Sequence, residues 1–193
     1  MSLESFAAIF SGSAVVRGLG DSRAVMVGDL DGGGVLPRTL TEVGAPPSRN
    51  SSCLRVGDVV ISLRGNANNA AVVEASDLGG TSLFATLDLA VIRLFDPESV
   101  NPRYIATWLN LPATQAILAE SREGSGAKRL SLGPLRALQV PIPEWQRQVA
   151  IVTLAREAAE ERRLADRLTL LRSTLIYHCL AEAAALPIKE ATL

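Results

Sequence analysis

Histidine occurs once in this chain, cysteine twice, and aromatic residues make up only 4% of it. The first two shortages each close off a class of chemistry. A Ser-His-Asp or Cys-His centre would rest entirely on His178, and Cys53, Cys179 and His178 together fall short of the usual ligand count of a structural zinc site. His178 therefore reads as a surface or seam histidine, and neither a metal nor a catalytic residue is expected. Neither Gly18-Leu19-Gly20 nor Gly124-Ser125-Gly126 has the third glycine of a dinucleotide fingerprint, and no Gly-Lys-Ser/Thr phosphate loop occurs, so no cofactor is expected either. The acidic residues Asp58, Asp77, Asp88 and Asp96 form no recognisable nuclease or hydrolase pattern. Two distant cysteines make no disulfide framework, which points to a reducing, cytoplasmic setting. No apolar run approaches the roughly 18 to 20 residues of a membrane span, and no basic segment precedes a signal-peptide core, so no membrane association is expected.

Charge of one sign is also lacking. Nineteen Lys and Arg stand against 20 Asp and Glu, a net charge of -1, which removes the simplest argument for a nucleic-acid binder. The local map is more informative. Residues 51–100 carry 3 positive and 6 negative charges, whereas residues 101–143 carry 5 and 2. A basic segment is thus diluted by an acidic one and by a long balanced one.

What is present is the material of an ordinary globular core: 48% hydrophobic and 20% charged residues in 193, enough for one generous domain with an appendage. Residues 1–142 alternate β-branched runs with Gly, Ser, Asn and Pro, the punctuation of strands and turns. Ala24 to Val27, Asp58 to Leu63 and Leu89 to Leu94 read as strands. Asn101-Pro102 is a helix start, with Ile105, Trp108 and Leu109 on one buried face. A second short helix follows Pro112 with Ile117 and Leu118 inward, ended by Gly124-Ser125-Gly126, and Ser131 caps a brief helical turn through Leu138. Gln139 to Pro143 must be extended, because a residue before proline avoids the α region.

From Pro143 to Leu186 the chain has no glycine and no internal proline, and Leu, Ala, Glu and Arg dominate. This segment, 143–186, reads as one long helix, with 187–193 as a tail. Leu164, Leu168, Leu171 and Leu175 recur at spacings of 4, 3 and 4, the period of a coiled-coil seam, and Cys179 extends the row. Arg156, Glu160, Arg163, Asp166 and Arg167 read as a solvated, mutually paired face. The fold class expected is mixed α/β, a sheet-containing domain followed by a long C-terminal helix of coiled-coil type.

Two polar loops have the chemistry of a DNA surface. Arg64-Gly65-Asn66-Ala67-Asn68-Asn69 follows the strongest strand, and arginine reads guanine bidentately as asparagine reads adenine, so Arg64, Asn66, Asn68 and Asn69 are candidate base readers. Arg122, Lys128, Arg129 and Arg136 surround the Gly-Ser-Gly loop, which suits it to phosphates, with Ser125, Lys128 and Arg129 as candidate contacts. An ordinary turn and a solvated loop are the alternatives.

Several segments in order resemble the specificity subunit of type I restriction-modification systems. Leu54 to Gly65 (LRVGDVVISLRG) resembles that family's glycine-aspartate strand and its polar turn, and Asn101-Pro102-Arg103-Tyr104-Ile105 its helix after the central strand. Gly126, Leu130, Leu135, Leu138, Val140-Pro141-Ile142-Pro143, Gln148 and Ile151 resemble the signature leading from a target recognition domain into the spacer helix. The resemblance implies a reader of double-stranded DNA without catalysis of its own, whose partners are an adenine methyltransferase subunit and a motor-nuclease subunit. Full members carry two recognition domains and two spacer helices, whereas this chain has one of each. That implies a homodimer through the Leu164 to Leu175 seam reading an inverted, interrupted site, or a single module of a longer protein. The alternative is a protein-interaction module acting through its long helix.

Overall fold

The computed structural model describes residues 1–32, 34–37, 39–44, 53–124 and 128–184. In chain order its strands are β1 (Ala7–Ser11), β2 (Val16–Val25), β3 (Gly34–Val35), β4 (Thr41–Gly44), β5 (Val59–Ser62), β6 (Ala70–Val72), β7 (Ser82–Ala85), β8 (Leu89–Leu94), β9 (Arg122–Glu123) and β10 (Arg129–Leu130). The helices are α1 (Ala75–Leu78), α2 (Pro102–Asn110), α3 (Pro112–Glu120), α4 (Leu132–Ala137) and α5 (Trp145–Ala183). The chain divides into two units, Met1–Thr153 and Leu154–Leu193, the first taking in the opening turns of α5.

The centre of the first unit is a five-stranded sheet in the order β1-β8-β5-β6-β3, antiparallel except for the β6–β3 edge. Burial on both faces explains why β5 and β8 are near-continuous apolar runs rather than alternating ones. Val59 and Ile61 of β5 join Ala90 and Ile92 of β8 in one core, where Tyr104, Ile105 and Leu109 of α2, Leu118 of α3 and Leu135 of α4 pack. Val60 and Val91 point the other way, into a second core. That core holds Val25, Leu83 and Ala85 of the three-stranded sheet β4-β2-β7, with Leu30, Leu36, Leu40 and Leu54 from the connections. The unit is therefore layered as helices, large sheet and small sheet.

Sequence signals and structure agree at β8, at β5 and at α2, where the Asn101 side chain accepts from the Arg103 N–H at 2.9 Å. They differ in three places. The strand expected at Ala24 to Val27 is the end of β2, and Val27–Asp29 is a 3-10 turn because the Asp29 carboxylate accepts from the Met26 N–H at 2.7 Å. Ile117 is 49% exposed, not inward, since Thr114 and Leu118, four residues apart, define the buried stripe of α3. That helix also stops at Glu120, where Arg122 enters β9, ahead of the Gly-Ser-Gly loop.

The residues of the closing signature are structural. Gln148, 1% exposed, accepts from the Asn101 N–H at 2.8 Å and donates to the carbonyls of Ser99 and Pro143 at 3.1 and 2.8 Å, fastening the first turn of α5 to the entry of α2. The Tyr104 hydroxyl donates to the Pro141 carbonyl at 2.6 Å, and burial pushes its pKa above the ordinary phenol value. Leu3, fully buried, takes the Leu138 carbonyl through its N–H at 2.9 Å.

In the second unit α5 continues without a break. Leu164, Leu168, Leu171 and Leu175 are 56%, 48%, 49% and 63% exposed, and at 100° per residue they share an arc of about 60°. The Arg163–Glu160 pair at 2.6 Å lies on the charged surface, and it raises the arginine pKa and lowers that of the glutamate. His178 meets Glu182 at 3.3 Å one turn on. Among the described residues no helix is long and apolar enough to cross a membrane.

Candidate nucleic-acid interface

The loop 64–69 and the strands β9 and β10, remote in sequence, meet at one end of the large sheet. Leaving β5, Leu63 donates its N–H to the Asp88 carbonyl at 2.8 Å, and its own carbonyl accepts from the Leu130 N–H at 2.9 Å. Three segments are thereby brought side by side: the loop 64–69 after β5, the turn 86–88 between β7 and β8, and the β9–β10 ribbon, paired Arg129 to Glu123 and Leu130 to Arg122. Two glycines permit this. Gly65 takes φ of +103° where the chain leaves β5, a region L side chains rarely adopt. At Gly12 a Cβ would sit 2.1 Å from the Thr86 carbonyl oxygen, so only glycine lets the turn 86–88 pass so close to β1.

Four cationic or polar heads are exposed or partly exposed here. Arg64 Nε lies 3.1 Å from Asp88 Oδ1, and Arg129 Nη1 lies 4.0 Å from that oxygen while its Nη2 donates to the Leu87 carbonyl at 3.1 Å. Lys128 and Asn66 are exposed, and their side chains have no partner among the described residues. Ser125 lies outside the described residues.

Two of the sequence-derived base readers are placed otherwise. Asn68 is fully buried: its Nδ2 donates to the Ser62 carbonyl at 2.6 Å and its Oδ1 accepts from Arg122 Nε at 2.8 Å. Gln115 of α3 completes the lock through the Asn68 N–H and carbonyl, both at 2.9 Å. With every amide group engaged inside the protein, Asn68 holds the loop in shape and has no edge left for a base. Asn69, half-buried, donates Nδ2 to the Leu30 carbonyl at 2.8 Å and is likewise an anchor.

The basic segment is divided in the same manner. Arg122 also donates to the carbonyls of Gly65 and Asn66, both at 3.1 Å, and Arg136 to that of Ile9 at 2.9 Å, so both serve the backbone. Arg122, which the sequence does not assign to the base-reading loop, ties that loop to β9 from inside, and Asp88 pairs with Arg64 at its surface.

The glycine-aspartate motif at the other end of β5 is structural. Asp58, 2% exposed, accepts from Arg93 Nε and Nη2 at 2.7 and 2.6 Å and from the Arg55 N–H at 2.8 Å. The Asp58 hydrogen bonds raise the Arg93 pKa, and the guanidinium lies 5.3 Å from the Phe10 ring centroid. Cys53 and Cys179 are exposed free thiols. No group of three His, Cys, Asp or Glu side chains able to hold a metal occurs among the described residues.

No protein-family model matches the sequence, and no curated protein matches it. Its fold is nevertheless shared by solved structures. One, from work on complex assembly and conformational transition of the type I R-M system, has a TM-score of 0.67 at 15% identity over 93% of this chain and 42% of that one. The HsdS subunit from Thermoanaerobacter tengcongensis has a TM-score of 0.56 at 16% identity over 88% and 38% of the two chains. The S subunit of a type I restriction-modification system from M. genitalium has a TM-score of 0.53 at 12% identity over 89% and 41%. The shared feature is the fold, a mixed α/β unit leading into a long helix, and this chain spans about two fifths of the length of each relative.

Proposed function

We propose that this chain is a DNA-recognition module of the type I specificity-subunit kind, without catalysis of its own. The supporting observation is the meeting of the loop 64–69 with the β9–β10 ribbon, which gathers Arg64, Asn66, Lys128 and Arg129 at one end of the large sheet, in a chain that shares its fold with two type I S subunits. Arg64 and Asn66 are the base readers in this reading, and Lys128, Arg129 and Ser125 contact phosphates. The leucine row of α5 joins a second copy, so that two recognition units read the halves of an inverted, interrupted site. An adenine methyltransferase subunit and a motor-nuclease subunit are the partners that such a reader directs, in a cytoplasmic setting.

Lys128→Ala combined with Arg129→Ala tests the charge assignment. Removing two phosphate contacts is expected to flatten the salt slope of binding to a random-sequence duplex by about 1.8, equally for every sequence. Unchanged affinity at low salt contradicts the assignment. A chain that binds no duplex, yet captures a partner protein through α5, supports the interaction-module alternative instead.

A further inference from the structure

Of the charged groups at the candidate interface, Asp88 is out of place on a surface meant for phosphates. Its carboxylate sits on the turn 86–88 between two arginines, 3.1 Å from Arg64 Nε and 4.0 Å from Arg129 Nη1. All three side chains are about half exposed, with 51%, 41% and 40% for Arg64, Asp88 and Arg129. Exposed ion pairs of this kind add little to stability, so the fold gives no strong reason for an acid here. The turn itself is held through backbone, by the Leu63 N–H on the Asp88 carbonyl at 2.8 Å and the Leu89 N–H on the Thr86 carbonyl at 2.9 Å.

We infer that Asp88 is a positioning residue for DNA recognition, which orients the Arg64 guanidinium from its Nε side and lowers the attraction of the surface for phosphates of any sequence. An ion pair that approaches Arg64 from its Nε side leaves both terminal nitrogens for the bidentate contact to guanine. One negative charge between two positive ones also leaves the trio a net +1, so indiscriminate binding to the backbone is weakened while a correct base contact is preorganised. The inference rests on the DNA-recognition reading above and names the residue that sets how far it discriminates.

The experiment is the salt titration of the full chain against a random-sequence duplex, for the wild type, Asp88→Asn, and the Arg64→Ala, Arg129→Ala chain with and without Asp88→Asn. Asp88→Asn is expected to bind the random duplex more tightly and to steepen the salt slope by about 0.9, which is roughly a threefold further change in affinity between 50 and 200 mM salt. In the double-arginine background the same substitution is expected to change the slope by less than half as much. A melting temperature matching the wild type shows that the turn has kept its fold. If the wild type binds duplex and Asp88→Asn leaves both affinity and slope unaltered or weakens binding, the inference fails and the DNA reading stands. If the wild type binds no duplex at low salt, both fail.

Discussion

Arg122 donates its Nε to the Oδ1 of Asn68 at 2.8 Å, a bond that spans 54 residues of sequence and ties the β9–β10 ribbon to the loop after β5. It makes one surface of the ribbon and that loop, and it does so from inside, with Asn68 fully buried.

Asn68→Ala is accordingly expected to behave as a core substitution. It orphans the Ser62 carbonyl and the Arg122 Nε, and leaving buried polar groups unpaired costs about 2 kcal/mol. Asn66→Ala, on an exposed side chain without a partner among the described residues, is expected to stay within about 0.5 kcal/mol of the wild type while weakening duplex binding. Urea unfolding midpoints alongside duplex titrations distinguish the two, and equal midpoints would contradict the structural role of Asn68.

The Tyr104 phenol carries a pH dependence. Its pKa is raised in the folded chain, chiefly by burial. The unfolded chain therefore loses the proton first, near the ordinary value of about 10. Stability is then at its full value below that pH and declines as pH rises from it toward the higher folded value. Tyr104→Phe gives up the bond to the Pro141 carbonyl, worth about 1 kcal/mol near neutrality, and is expected to flatten the alkaline decline. Unfolding midpoints measured from pH 8 to 11 check this, and an equally steep decline in the variant would contradict it.

Leu168→Glu tests the seam. In a pair of helices joined through Leu164, Leu168, Leu171 and Leu175, a carboxylate at the second position of the row is buried unpaired at the contact of both copies. Light scattering is expected to give twice the 20.4 kDa chain mass for the wild type and the single mass for the variant. A wild type of single mass at high concentration removes the homodimer.

The sequence was legible where one physical signal dominated. The apolar run at Leu89–Leu94 is a strand, Asn101-Pro102 opens a helix, and the glycine-free stretch after Pro143 is a helix over Trp145–Ala183. Short strands such as β3 and β6 leave no comparable mark, because two or three residues are too few for a period to emerge. At the interface, composition nominated both loops but could not sort their side chains. Asn66, Asn68 and Asn69 are equivalent in a sequence. Only the fold, by placing Ser62, Arg122 and Gln115 around one and the Leu30 carbonyl beside another, separates anchors from free heads. Asp88 carries no such signal in the sequence, because its partners, Arg64 and Arg129, lie on either side of it in distant segments.

The central claim, that this chain reads DNA sequence, is tested most directly by selection. The full chain is incubated with a library of duplexes carrying a random central region, and retained molecules are sequenced over successive rounds. Two recognition units related by a two-fold axis are predicted to enrich an inverted repeat interrupted by a spacer of fixed length. Retained duplexes with no common sequence, or none retained above a protein-free control, would contradict the account.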